Sequence, residues 1–350
     1  MSARVPDEMR IARLHGWGDV RIERMPVPGP GPGEIVVRIE ACGVCGSDAL
    51  RWYVEQKAPT VLGHEPAGTV VLAGEGVEAV RPGDRVFVHH HAPCGDCEEC
   101  RRGLWSNCAV WRATRLHPGG FAEYARVMAP NVARDTLVLP DAMDFDTATF
   151  IEPVACCLRA TRRKGEVRPG DTVAIVGLGA MGLVMLQLAR RLGATCVVAS
   201  DLIADRRARA VRLGADEAVD PAVTTLASAI RARVPRGADV VLVCPAEVRA
   251  MQAGIEAAAP GGRVVCFTPL PPDRPLVIDQ SNLYFREIAL VQSYSCGPDE
   301  TRAALDLLAT GAIDVDSLVT HRAGLEGVAA ALDRAAGKGD GIKTIIHPGR

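Results

Sequence analysis

Val173-Ala174-Ile175-Val176-Gly177-Leu178-Gly179-Ala180-Met181-Gly182 is the stretch that decides the fold. An apolar strand runs into G-x-G-x-x-G, and an apolar helix pattern follows. Glycines at this spacing permit a tight turn and let the backbone approach a pyrophosphate, whose charge a helix N-terminus stabilises. The motif alone is weak, but its context is not. The next strand closes at Ala199-Ser200-Asp201, where a carboxylate is placed to accept hydrogen bonds from a ribose diol. Gly177, Gly179, Gly182, Asp201 and Arg206 are therefore the expected cofactor-binding residues, with NAD expected and NADP less so. Arg206 complicates that preference; pairing with Asp205 and stacking on adenine are its other readings.

Working outward, Thr172 to Val176, Thr195 to Ser200, Asp239 to Val243, Arg263 to Phe267 and Ala289 to Gln292 read as apolar strands separated by helical stretches rich in Ala and Arg. Such alternation predicts an α/β fold, a doubly wound parallel sheet covered by helices. Thr172 to Ala189 is apolar enough to suggest a membrane span, but its three glycines and Gln187 fit a strand, turn and buried helix better. Residues up to about 140 have a different grammar. Short apolar runs such as Ile35 to Ile39, Gly68 to Leu72 and Arg85 to Val88 are punctuated by Pro and Gly, which reads as an irregular β domain. Beyond Tyr294 come helical stretches from Asp299 to Ala309 and Leu325 to Ala336, then a strand-like Ile342 to Ile346.

A chain of 350 residues exceeds what one core usually organises, so two domains are expected. A formal net charge of -2 gives no electrostatic reason to expect nucleic acid, and no membrane partner is expected either. Met1 to Arg10 carries no apolar run of the secretory kind, which points to a cytoplasmic protein. The 12 cysteines should then be mostly thiols, and clustered ones metal ligands.

Cys94, Cys97, Cys100 and Cys108 follow a C-x2-C-x2-C-x7-C spacing with Gly95 and Gly103 in the loop. Four thiolates around one point suit tetrahedral zinc in a closed, structural site. His89, His90 and His91 just before it read as a strand end entering the loop, with extra metal ligands as the alternative. A second set is scattered: Cys45 in Ala41-Cys42-Gly43-Val44-Cys45-Gly46-Ser47-Asp48, and His64-Glu65 in Gly63-His64-Glu65-Pro66. Thiolate, imidazole and carboxylate are the donors of a catalytic zinc that keeps one position open.

The order Cys45, His64-Glu65, the four-cysteine loop, Gly119-Gly120-Phe121-Ala122-Glu123-Tyr124, Glu152-Pro153 and the dinucleotide fingerprint resembles zinc-containing medium-chain dehydrogenases, over nearly the whole chain. Glu152-Pro153, Ser200-Asp201-Leu202 and Leu318-Val319-Thr320-His321-Arg322 look most like the sorbitol and threonine dehydrogenase branch. The resemblance implies a GroES-like catalytic domain over 1–155, a Rossmann domain over 156–296, and a segment 297–350 returning to the first. It also implies an NAD-linked oxidation of a secondary alcohol or polyol, two zinc ions per chain, and a homodimer or homotetramer. Cys45 and His64 look like fixed ligands completed by Glu65 or Glu152. Asp48 matches the carboxylate that orients the histidine, and Ser47 the hydroxyl that takes the substrate proton. At the place of the usual relay histidine stands Leu50, and no arginine of polyol pockets is evident near Cys296. A zinc-free quinone or enoyl reductase of the same superfamily and a non-catalytic dinucleotide-binding protein are the competing readings. The first has no use for Cys45, His64 and the four-cysteine loop.

Overall fold

The computed structural model describes residues 5–350. The stretch Met1 to Arg10, read above for a secretory signal, thus begins outside the described residues. The chain divides into two compact units, one formed by the chain through Ala155 together with Cys296–Arg350, the other by Cys156–Ser295.

The second unit is built on a six-stranded parallel sheet. Its spatial order is Glu217–Val219, Cys196–Ser200, Thr172–Val176, Ala238–Val243, Ala258–Cys266 and Ala289–Gln292. Numbered along the chain this is 3-2-1-4-5-6, the doubly wound order whose reversal point lies between the first and fourth strands. Every residue of Thr172–Val176 is buried, as a strand covered on both faces must be. Sequence reading missed Glu217–Val219. That strand has three residues and only Val219 buried, so no apolar run announces it. The strand expected from Arg263 begins at Ala258. Its ladder steps from Ala238↔Ala258 to Val240↔Arg263, so Pro260-Gly261-Gly262 is accommodated as an irregularity inside the strand.

In the first unit, Asp19–Pro26, Glu8–Gly16 and Thr60–Val61 form a small sheet. A larger sheet runs Val319–Ala323, Lys343–Ile346, Ile35–Gly43, Glu65–Ala73, Arg85–Val88, Thr136–Val138, with Tyr124–Val127 also paired to Ile35–Gly43. Its core includes Met9, Ile11, Ile35, Ile39, Phe121 and Leu325. The tail closes this sheet: Ile345 pairs with Gly43 and Ile346 with Cys42. Val319–Ala323, quoted above only for its motif, is a strand parallel to the tail. The helix expected over Leu325 to Ala336 divides into a 3₁₀ turn, Leu325–Gly327, and a helix, Val328–Ala335. Among the described residues no helix is long and apolar enough to cross a membrane.

Candidate active site

Strand Ile35–Gly43 ends just before Cys45, which caps a 3₁₀ turn, Gly46–Ala49. The turn aims the sulfur inward, where the backbone N–H of Ser47 donates to it at 3.5 Å. Asp48, in the same turn, is 4% exposed and accepts from the N–H of Cys45 at 3.3 Å. Its other oxygen lies 3.2 Å from His64 Nδ1. A carboxylate holding Nδ1–H leaves Nε2 as the ligand nitrogen and fixes the ring. Burial disfavours a charged His64, but the charges of Asp48 and Cys45 and hydrogen bonds to both outweigh it, and its pKa rises well above the ordinary value. The ligand atoms of Cys45, His64 and Glu65 lie within 4.8 Å of one another. They are close enough to turn toward one ion, and thiolate, imidazole and carboxylate are the donors of an open zinc site.

Glu65 is fully buried and paired with the ammonium of Lys343, itself 2% exposed at the side chain. Burial opposes the Lys343 charge, yet Glu65 and Cys45 overcome it, so the pKa of Lys343 is raised. Gly43 makes room for this pair, since a Cβ there would stand 2.0 Å from the Glu65 carboxylate. Sequence reading missed Lys343. The available signal was one lysine at the start of an apolar run, Lys343-Thr344-Ile345-Ile346, in a chain whose basic residues are nearly all arginine. Glu152, the other carboxylate expected to complete the set, lies in the first turn of the helix Ile151–Leu158. The structure groups it instead with His89 and Cys296, although its charge still reaches Glu65 and Lys343. Cys296, expected at the end of the Rossmann domain, belongs to the first unit, its sulfur 3.6 Å from His89 Nε2. The His89–His91 run follows the end of the strand Arg85–Val88.

Cys94, Cys97, Cys100 and Cys108 converge, with Sγ–Sγ distances of 3.8, 3.4 and 3.7 Å for the 94–100, 97–100 and 94–108 pairs. Zinc–sulfur bonds of about 2.3 Å at tetrahedral angles imply an edge of roughly 3.8 Å, so the four sulfurs fit one ion. Backbone N–H groups of Cys94, Gly95 and Cys97 each donate to a sulfur at 3.4 Å, which favours thiolates. Cys100, Cys108 and Trp111 form a small core of their own, with Trp105 packed on it.

In the second unit the three glycines divide their tasks. Gly177 turns the chain at φ +86°, and a Cβ on Gly182 would stand 1.9 Å from the Gly177 carbonyl oxygen. At Gly179 a Cβ would meet nothing nearer than an Arg206 guanidinium nitrogen at 4.0 Å, leaving backbone open to a pyrophosphate. Asp201 accepts from the N–H groups of Leu178 at 2.7 Å and Ile203 at 2.8 Å, tying the glycine turn to the strand end. Arg206 lies 3.8 Å from the Asp201 carboxylate, while Asp205 pairs with Arg209 at 2.7 Å and also feels the charge of Arg206.

Residues 31–141 match the alcohol dehydrogenase GroES-like domain, and residues 180–310 match the zinc-binding dehydrogenase family. The sorbitol dehydrogenase of Bos taurus is 32% identical over 364 residues, spanning 99% of this chain and 98% of that protein. A structure described as a zinc-binding dehydrogenase of Sinorhizobium meliloti 1021, bound to NADP, aligns with a TM-score of 0.87 at 33% identity, covering 98% of this chain and 100% of that one. A short chain alcohol dehydrogenase from Escherichia coli CFT073, complexed with NADH, aligns with a TM-score of 0.85 at 28% identity, covering 98% and 100%.

Proposed function

Since the chain belongs to the zinc-containing medium-chain alcohol dehydrogenase family, we propose that it oxidises a secondary alcohol or polyol to the ketone by hydride transfer to NAD. Sugar alcohols, cyclitols and 3-hydroxy amino acids are the substrate classes. The observation that carries the reading is the convergence of Cys45, His64 and Glu65 with Asp48 behind the histidine. A zinc ion bound there would supply Lewis acidity, bringing the hydroxyl pKa of a bound alcohol toward neutrality. Cys45, His64 and Glu65 would hold that ion, and the Glu65–Lys343 pair keeps the carboxylate from carrying an uncompensated buried charge. Ser47 takes the hydroxyl proton. Gly177, Gly179 and Gly182 would hold the cofactor pyrophosphate, and Asp201 would accept from the ribose diol. The name of the Bos taurus relative supports the polyol class.

NAD is preferred because a 2′-phosphate would bring negative charge against Asp201, whose carboxylate is held in place by two backbone donors. Arg206 softens that repulsion, and the Sinorhizobium meliloti neighbour is bound to NADP. The four-cysteine loop holds a second, structural zinc. Assembly into a homodimer or homotetramer is supported by the sheet-edge strand Ala289–Gln292 and by Tyr284 and Phe285 just before it, 67% and 82% exposed. The deciding experiment supplies secondary alcohols, polyols, threonine and cyclitols with NAD or NADP and reads cofactor reduction by absorbance. Turnover of at least one such alcohol, lost in Cys45→Ala, is expected. Reduction of quinones or enoyl substrates alone, or no turnover at all, would overturn the reading.

A further inference from the structure

The construction of the Cys45–His64 site is repeated nearby. His89 is fully buried, and its Nδ1 lies 2.7 Å from Asp135 Oδ2, with Asp135 also fully buried. Thr301 donates its hydroxyl to the other Asp135 oxygen. The backbone is locked as well: the N–H of His89 donates to the Asp135 carbonyl at 3.1 Å, and Asn131 donates to the His89 carbonyl at 2.8 Å. With Nδ1–H given to a carboxylate, the Nε2 lone pair is the one presented to the next group. That group is the sulfur of Cys296, 1% exposed, at 3.6 Å. Glu152, 6% exposed, brings a carboxylate oxygen within 4.8 Å of both.

Zinc–sulfur and zinc–nitrogen bonds of about 2.3 and 2.05 Å at a tetrahedral angle put sulfur and nitrogen roughly 3.5 Å apart. The His89–Cys296 separation matches that edge. The donors are again thiolate, imidazole and carboxylate, and the histidine is again oriented by an aspartate. The arrangement also looks like a cysteine–histidine–aspartate nucleophile, but a nucleophile must reach its substrate, and His89 and Cys296 are closed off. An ion enclosed as the chain folds needs no such access.

We propose that His89, Cys296 and Glu152 form a third metal site, which takes zinc or a similar divalent cation beyond the catalytic and structural ions. His90 stands between this cluster and the other, its ring centroid 4.9 Å from that of His89 and 5.0 Å from that of His64. The third ion is thus a neighbour of the catalytic one, and it holds Glu152 away from the Cys45 set.

The test is metal content of the whole protein loaded with zinc and freed of loosely held ions, for the parent, Cys296→Ser and His89→Gln. Three ions per parent chain and two in each variant are expected. Two ions in the parent, or three in both variants, overturns the proposal. Cobalt titration of the metal-free parent decides the matter even if neither variant folds. The third equivalent must add the thiolate-to-cobalt absorption of a single sulfur, and a third equivalent silent in that band rules the site out. Metal content and cofactor reduction are separate readouts, so two ions with alcohol turnover sinks this site alone and leaves the dehydrogenase reading standing.

Discussion

At the scale of single residues, the proton and the buried ion pair give the sharpest expectations. Leu50 has neither donor nor acceptor, so it cannot extend a proton chain from Ser47. On the proposed reading, Ser47 passes its proton to the cofactor ribose and then to water. Ser47→Ala should therefore slow single-turnover alcohol oxidation by about 10²–10⁴-fold, the usual worth of general-base assistance. Leu50→His should alter little but the pH profile. A Ser47→Ala enzyme that turns over near the parent rate would send the proton by another route. Lys343→Met tests the pair behind the metal site. Removing one partner of a buried ion pair costs about 3–5 kcal/mol, because the other charge is stranded. Here the stranded group is Glu65, and a bound cation takes over the lost charge. Denaturant unfolding of parent and variant, with zinc and with chelator, should show the larger loss in the metal-stripped state. Equal losses in both states would mean that Glu65 does not face the ion.

At the scale of elements, strand ends and short helices carry the function. Asp201 follows the strand Cys196–Ser200, where the N–H of Leu178 in the glycine turn and the N–H of Ile203 just beyond it hold its carboxylate. A hydrogen bond to a charged group is worth about 1.5–3 kcal/mol, so Asp201→Ala should cut kcat/KM with NAD by roughly 10–150-fold. With NADP the loss should be smaller, since a repulsion vanishes as well. A parallel fall with both cofactors would place the ribose elsewhere. Asp146, in the helix Phe145–Ala148, fastens the tail of the first unit. It takes Arg322 at 2.6 Å and His347 at 3.1 Å. Burial raises its pKa, but hydrogen bonds from His347 and Arg322 outweigh that and lower it. A carboxylate whose folded pKa is depressed stabilises the fold above the unfolded value, and that stability is lost as pH falls through the folded value. Asp146→Asn should thus cost about 1–2 kcal/mol near pH 7, a figure discounted because Arg322 is half exposed. The difference from the parent should shrink once the pH drops below about 4. Thermal melts of both proteins across pH 3–7 check this, and a pH-independent gap would assign the cost to packing.

At the scale of the whole molecule, metal and chain closure are linked. The four-cysteine loop has only a small core, so on the proposed reading a bound ion should hold its shape. Trp105 of that loop packs on Gly297, where a Cβ would stand 2.0 Å from the indole, and Gly297 adjoins Cys296. Cys97→Ser should remove one ion per chain and lower the melting temperature, while Cys45→Ala should remove turnover and spare the fold. Unchanged metal content in Cys97→Ser would refute the structural site. What the sequence by itself determined is what lies close along the chain. The cysteines from Cys94 to Cys108 and the turn from Cys45 to Asp48 each lie in one loop or turn, and the glycine fingerprint meets Asp201 within one strand–helix–strand unit whose two strands pair side by side. The parallel sheet was equally legible, because unbroken apolar strands alternate with helices. Only the tertiary structure decided which carboxylate stands with Cys45 and His64, why Lys343 is buried, and that His89 meets Cys296. Those pairs join residues 278 and 207 positions apart. No spacing rule reaches so far. They exist because the tail strand Lys343–Ile346 closes against Ile35–Gly43, and because the chain returns to the first unit at Cys296.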